Sequence, residues 1–296
     1  MDRKTIIAAC GNDCAACPRR LPKTEEALRR TAELWAKIGY RDRVVSNEAI
    51  ACTGCKPTNW CRYGIVECVA AREIAHCGKC PEYPCRKLEA CFEATEGFRA
   101  ACLNACASEE WRALETAFFE KRKNLDAARR IIRTERLILR PYRATDAQDG
   151  FEILGDPEVN RYIVYPLHRD IEDTREYIQE WDPDEDRFAI ELKATGKVVG
   201  ACMIWYNDEE GGWELACGFN RHFWGKGYAT EITKALIGWA YDVKKARDFI
   251  IIHAVGNPAS GSVARKCGFT QVHAGKLSRM DGSETFPAIV YKMHLD

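Results

Sequence analysis

Three Cys-x2-Cys pairs fall within the first 80 residues: Cys14/Cys17, Cys52/Cys55 and Cys77/Cys80. With their neighbours they make the set Cys10, Cys14, Cys17, Cys52, Cys55, Cys61, Cys68, Cys77, Cys80 and Cys85. A Cys-x2-Cys turn presents two thiolates to one tetrahedral ion, so the spacing predicts metal ligation, with zinc as the first expectation. Disulfides are the competing use. The basic start is followed by TIIAAC, shorter than the ~7–15 apolar residues of a secretory core, so reduced thiols in a cytoplasmic protein are expected. Thirteen of the 16 cysteines lie in residues 1–106, an odd number for complete pairing. Ten ligands could fill two closed tetrahedral sites with spares, and the spacing leaves their grouping open. An ordinary iron–sulfur cluster is the second reading of the same thiols. His76 precedes Cys77 and could replace one sulfur.

A second constellation lies far downstream, in HFWGKGYATE. Gly225 and Gly227 let the backbone approach a ligand and take conformations closed to other residues. A helix starting near Gly227 would aim free N–H groups and its positive dipole end at the turn. Together these features predict a pyrophosphate site over residues 222–230. Alone, G-x-G is common in ordinary turns; its place between a strand and a long helix gives it weight.

The elements that must position these residues fall into two sets, expected as domains over 1–132 and 133–296. The first is small, cysteine-rich and mainly helical. It ends in a helix over 108–132, where Trp111, Leu114, Phe118, Leu125 and Ala128 recur at near-helical spacing. Cys91, Cys102 and Cys106 sit on helix-like stretches and read as packing residues, as do Cys202, Cys217 and Cys267 further on. From residue 134 the order reads β-α-α-β-β-β-α-β-α-β-β. It contains two helices within 145–181, a hairpin of 188–193 with 197–205 around Thr195-Gly196, and a clear amphipathic helix after the glycine turn. That order predicts a mixed α/β (α+β) sheet, twisted, with helices on both faces.

The stretch ELACGFNRHFWGKGYATE resembles the R/Q-x-x-G-x-G/A signature of the GNAT acyltransferases, with His222 in place of Arg or Gln. It is most similar to the ribosomal-protein N-terminal acetyltransferase branch. Asn257-Pro258-Ala259-Ser260 and Lys266-Cys267-Gly268-Phe269 match that branch's N-x-x-S and K-x-G-F. The resemblance covers about 134–296. It implies a GNAT fold and acetyl-coenzyme A as cofactor, bound by Phe219, Asn220, His222, Gly225, Lys226, Gly227, Tyr228, Ala229, Thr230 and Asn257. It also implies that the strand 214–220 and the strand 249–255 splay apart to admit pantetheine. Glu214 matches the family's acidic residue and is expected as general base, or else as a carboxylate that only binds a cationic substrate. The tyrosine acid common in the family falls on Ala264 here. Ser260 is left to hydrogen-bond the departing thiolate, or else to cap its helix. The first region resembles an uncharacterised cysteine-rich family taken to bind zinc, through CGNDCAACP, CTGC and HCGKCPEYPCRKL. Cys10-x3-Cys14-x2-Cys17 also has the spacing of the radical S-adenosylmethionine motif, but 18–130 holds too few strands for the barrel those enzymes need.

The formal net charge is zero, from 44 basic and 44 acidic residues. Residues 1–130 carry 23 of the basic and 18 of the acidic residues, a balance of +5, which leaves −5 for the remainder. An acidic C-terminal half suits a cationic substrate and disfavours nucleic acid, although solubility alone would explain it. No apolar run approaches the ~18 residues of a membrane span. Neutralising a lysine (pKa near 10.4) rather than an α-amine (near 7.7–8.0) costs roughly 3.5 kcal/mol more. One base therefore favours a low-pKa primary amine on a peptide N-terminus or a small molecule. The opposing reading is a metal-dependent sensing or binding protein whose GNAT half holds coenzyme A without turnover.

Overall fold

The computed structural model describes residues 6–20, 24–56, 61–180 and 186–296. The first five residues, read above for a leader, and Trp181 at the end of the helical pair lie outside the described residues. Two compact units emerge, Met1–Arg129 and Arg130–Asp296.

The first unit is helical. It comprises α1 (Glu25–Lys37), α2 (Asn47–Ile50), α3 (Ile65–Ala71), α4 (Arg86–Glu96), α5 (Arg99–Ala105), α6 (Ser108–Leu114) and α7 (Lys121–Ala128), with a 3-10 turn at Cys77–Lys79. Thr24 caps α1, its Oγ1 accepting from the Ala27 N–H at 3.4 Å. Ala32, Trp35 and Ile50 form a small core to which Phe118 adds an edge-on ring 5.3 Å from Trp35. The single helix expected over 108–132 is not formed. A π-turn, Glu115–Phe119, separates α6 from α7, and Ile132–Arg133 is already a strand. The wider turn lets Ala117 bury fully while Phe118 reaches Trp35. Ile132 buries in the sheet's core, and that packing overrides its place in a helical pattern.

The second unit is one eight-stranded sheet in the order β1-β2-β3-β4-β5-β6-β8-β7. Its strands are β1 (Ile132–Arg133), β2 (Leu137–Arg140), β3 (Arg187–Leu192), β4 (Val198–Asn207), β5 (Gly212–Phe219), β6 (Asp248–Ala254), β7 (Thr270–Ser278) and β8 (Thr285–His294). Helices α8 (Ala147–Leu154) and α9 (Ile171–Gln179) precede β3; α10 (Tyr228–Lys244) and α11 (Pro258–Lys266) flank β6. Every pairing is antiparallel except β5 with β6, which α10 joins as a crossover. Strand alternation feeds both faces. Phe188 and Ile190 pack with Leu236 of α10, whereas Ala189 packs with Ile153 of α8. The expected hairpin turns at Gly196, which takes φ 73°. A short connection joins β7, which runs to Ser278, to β8, which starts at Thr285. Cys202 is buried as expected, but Cys217 is exposed, since β5 has no partner strand beyond Glu214 on that side. Among the described residues no helix is long and apolar enough to cross a membrane.

Candidate active site

The parallel partners β5 and β6 pair at only two positions, Trp213↔Phe249 and Glu214↔Ile250. Residues 215–219 of β5 therefore have no β6 partner, and Ala216 and Cys217 are exposed there. A splayed parallel pair leaves one strand edge free to accept an extended ligand by main-chain hydrogen bonds. Glu214 stands where the pairing ends.

Downstream, the chain makes a 3-10 turn at Arg221–Phe223 and enters α10. Asn220 organises this passage from a buried position. Its Oδ1 accepts from the His222 N–H at 3.1 Å, and its Nδ2 donates to Glu152 at 3.1 Å. The Trp224 indole N–H donates to the Phe219 carbonyl at 2.7 Å. Phe219 is buried, its ring 6.3 Å from Tyr228. Gly225 and Gly227 take φ 74° and 80°, and a side chain at Gly225 would meet nothing within 4 Å. Gly227 is the N-cap of α10 and carries no side-chain cap. The amides of Tyr228, Ala229 and Thr230 thus lack partners within the helix, beside open space. Residues 222–230 fit a pyrophosphate on this evidence: glycine backbone, uncapped amides and the positive end of a 17-residue helix. His222 and Lys226 are exposed on the same turn, with Lys226 Nζ 4.7 Å from the Phe223 ring centre.

Two residues passed over in the sequence support this turn. Arg136, just before β2, donates from Nη1 to the Lys226 carbonyl at 2.9 Å and from Nε to Glu231 at 2.7 Å. Glu231, in the first turn of α10, also accepts from Thr134 Oγ1 at 2.6 Å. Nothing marks Arg136 in ERLILRPY as more than one polar position of an alternating strand; only the fold brings it to residue 226.

Glu214 is 7% exposed. Burial pushes its carboxyl above the usual carboxylate range, Asn207 Nδ2 opposes this by donating to Oε2 at 2.7 Å, and the neighbouring Glu210 charge adds to the rise. Such a carboxyl takes a proton more readily than a surface glutamate. Asn257 caps α11, its Oδ1 accepting from the Ser260 N–H at 3.4 Å. The helix cap is therefore the Asn257 side chain, with Ser260 two residues past the Pro258 start.

The cysteines divide between two cavities of the first unit. Cys10, Cys14, Cys17, Cys52, Cys55, Cys61 and Cys102 line one of about 120 Å³, among mostly apolar and aromatic neighbours. Cys68, Cys77, Cys80 and Cys85 line another of about 20 Å³. Burial pushes the Cys14 and Cys55 thiols up to about 11 and Cys77 up to about 12. No group of three or more His, Cys, Asp or Glu among the described residues is arranged to hold a metal ion. His76 lines neither cavity, and its buried Nδ1 has no hydrogen-bond partner. Cys91 and Cys102 are buried and Cys106 is partly so.

Known proteins agree with this geometry. Residues 136–270 match the acetyltransferase (GNAT) domain family, and residues 6–90 match a protein family of unknown function (DUF3795). The uncharacterized N-acetyltransferase p20 of Bacillus licheniformis is 33% identical over 114 residues, covering 36% of this chain and 64% of p20. The chain thus spans just under two thirds of p20. The uncharacterized protein YkkB of Bacillus subtilis is 30% identical over 154 residues, covering 49% of this chain and 87% of YkkB. The crystal structure of a GNAT-family acetyltransferase from Bacillus anthracis shares the fold, at 24% identity and a TM-score of 0.50 over 55% of this chain and 98% of that one. With its mixed sheet, its splayed parallel pair and its glycine turn, the chain belongs through residues 136–270 to the acetyltransferase (GNAT) domain family.

Proposed function

We propose that the chain transfers acetyl from acetyl-coenzyme A directly to a primary amine, on a peptide N-terminus or a small molecule, with Glu214 as general base. One observation carries this reading: a buried carboxyl with a raised proton affinity stands where β5 and β6 part. Bound acetyl-coenzyme A would supply the thioester. Residues 222–230 and Asn257 bind and orient it, with Phe219 and Asn220 holding the turn in shape. Glu214 takes a proton from the bound ammonium, directly or through a water, and leaves the neutral amine to attack the thioester. Asn207, hydrogen-bonded to Oε2, fixes the carboxylate's direction. Ser260 donates a hydrogen bond to the departing thiolate. The acidic balance of the second unit supports an acceptor that arrives as a cation, and a single base favours one of low pKa.

We further infer that the cysteine-rich unit binds zinc and that the protein is cytoplasmic, where thiols stay reduced. The donor types support zinc: Cys68, Cys77, Cys80 and Cys85 line one cavity together with Arg72, Glu82 and apolar side chains, and four thiolates drawn onto one ion would make a closed tetrahedral site. We infer two domains, the second beginning a few residues before the expected 133 so that it includes β1.

The test is release of coenzyme A thiol with a panel of primary amines. Glu214→Gln should lower kcat/KM about 10²–10⁴-fold with acetyl-coenzyme A affinity unchanged. An unaltered rate would remove Glu214 from the mechanism, and no thiol release with any amine would favour coenzyme A binding without turnover.

A further inference from the structure

Six aromatic rings, those of Trp35, Tyr40, Tyr63, Phe98, Phe118 and Phe119, line the larger cavity of the first unit between its thiols. Several hold one another edge to face. Trp35 meets Phe118 at 5.3 Å between ring centres, and Tyr40 meets Trp35 at 4.7 Å and Phe98 at 5.3 Å. An apolar cavity of about 150 Å³ holds a benzene. At about 120 Å³ this chamber admits an apolar body no larger than a single ring.

The fixed charge on that wall is all of one sign. Among the described residues Arg19, Arg62 and Lys121 line it, and no aspartate or glutamate does. Their hydrogen bonds go to neutral acceptors. Arg19 Nε donates to the Ile50 carbonyl at 2.8 Å and Arg62 Nη1 to the Tyr40 carbonyl at 3.0 Å. Lys121 Nζ donates to Thr95 Oγ1 and to the Phe118 carbonyl, both at 2.9 Å. Each guanidinium also rests on rings of the wall, Arg19 at 5.1 Å from the centre of Trp35 and Arg62 at 5.3 Å from that of Tyr40. An ionised Cys10, its thiol held down to about 6 chiefly by a hydrogen bond with Cys91, would offset one of the three charges.

The three cations are graded by depth. Arg62 is exposed, Arg19 is half-buried and Lys121 is 6% exposed. A cleft lined by one sign of charge draws in the opposite sign. At its buried end an ammonium is costly unless paired, and burial lowers the proton affinity of Lys121 accordingly. Asn12 adds a second unmet group. It lines the chamber, and its buried Oδ1 has no hydrogen-bond partner among the described residues. A buried carbonyl oxygen of this kind calls for a donor.

We propose that this chamber binds a small organic monocarboxylate with an apolar body of at most one ring, its carboxylate paired with Lys121 and a hydroxyl or N–H of the ligand donating to Asn12 Oδ1. The aromatic wall takes the apolar body out of water. One carboxylate charge suits this depth better than a phosphate, because a second charge adds to the cost of burial. The site is separate from acetyl transfer, and it leaves the zinc reading to Cys68, Cys77, Cys80 and Cys85 at the other cavity. The cysteine-rich unit thereby gains a ligand of its own.

The experiment is calorimetric titration of the full chain at neutral pH with isobutyrate, benzoate, the three hydroxybenzoates, benzyl alcohol and benzylamine, in the presence of excess coenzyme A to keep the probes out of its site. Benzoate should bind at one per chain, roughly ten- to a hundredfold tighter than benzyl alcohol, the difference a charged hydrogen bond makes. Benzylamine should not bind, and one hydroxybenzoate should bind more tightly than benzoate. Lys121→Met should bring benzoate down to the affinity of benzyl alcohol and leave benzyl alcohol unchanged, which a lysine serving only the fold would not do. The ranking on the unaltered chain needs no variant, so the test stands if Lys121→Met fails to fold. Benzyl alcohol or benzylamine bound as tightly as benzoate, a folded Lys121→Met that keeps the preference, or benzoate displaced by zinc overturns the proposal. So does a chain that binds neither acid at millimolar concentration. If no hydroxybenzoate exceeds benzoate, the contact with Asn12 is overturned.

Discussion

Glu214 joins two opposed demands in one side chain. Burial raises its proton affinity, which suits a base working near neutral pH and costs folding stability once the group is ionised. The sign follows from linkage. A carboxyl whose folded pKa lies above its unfolded value favours folding fully below the unfolded value, about 4.3. That favour is lost as pH rises through the raised folded value. Glu214→Gln should therefore raise the melting temperature at pH 7, and the gain should vanish in acid below the ordinary glutamate range. Calorimetry at both pH values checks this; equal melting temperatures at pH 7 would show that the carboxylate is not held at a cost. In the unaltered enzyme kcat/KM should fall on the acid side with an apparent pKa above the usual glutamate range. Thiol-release rates across pH would read it, and an acid limb at an ordinary glutamate value would contradict the burial argument.

The glycine turn works only as part of an element. Gly225→Ala must hold a side chain at φ 74°, at roughly 1–2 kcal/mol, although its Cβ would meet no neighbour within 4 Å. Gly227→Asp adds a carboxylate at the uncapped end of α10, where a phosphate would lie. Acetyl-coenzyme A at a hundred times its Kd should stabilise the protein by about 2.7 kcal/mol, and Gly227→Asp should abolish that shift. A shift retained by the variant would move the phosphate site elsewhere. Arg136 acts through the turn. Arg136→Ala frees the Lys226 carbonyl and breaks the charged hydrogen bond to Glu231, an interaction of about 1.5–3 kcal/mol. The KM for acetyl-coenzyme A should rise about 10–100-fold with kcat nearly constant; a fall in kcat alone would mean that Arg136 serves the chemistry instead. The turn, the crossover helix and the succession of elements along the chain were legible because glycines, helical periodicity and strand alternation are local signals. Arg136 was not, since its partners lie about 90 residues away in sequence. The break at Glu115–Phe119 was hidden for a related reason: a π-turn preserves apolar residues at near-helical spacing and shifts only their phase.

At the scale of the whole molecule, the two units rest on different sources of stability. The second has a continuous core running from Leu137 and Phe188 through Leu236 to Phe249 and Tyr291. The first has small clusters, such as Ala32, Trp35 and Ile50 beside a cavity of about 120 Å³. Metal held by the cysteine-rich unit, as proposed above, would add to the stability of a unit with so small a core. Metal ligation couples to folding because unfolded thiols hold no preformed site. Stripping metal with a chelator should therefore unfold Met1–Arg129 while Arg130–Asp296 keeps its acetyl-coenzyme A thermal shift. Scanning calorimetry with and without chelator would show two transitions, of which only the upper responds to acetyl-coenzyme A. A single transition that moves with both additives would mean that the units fold as one cooperative body, and the cysteine-rich unit's metal would then bear directly on catalysis.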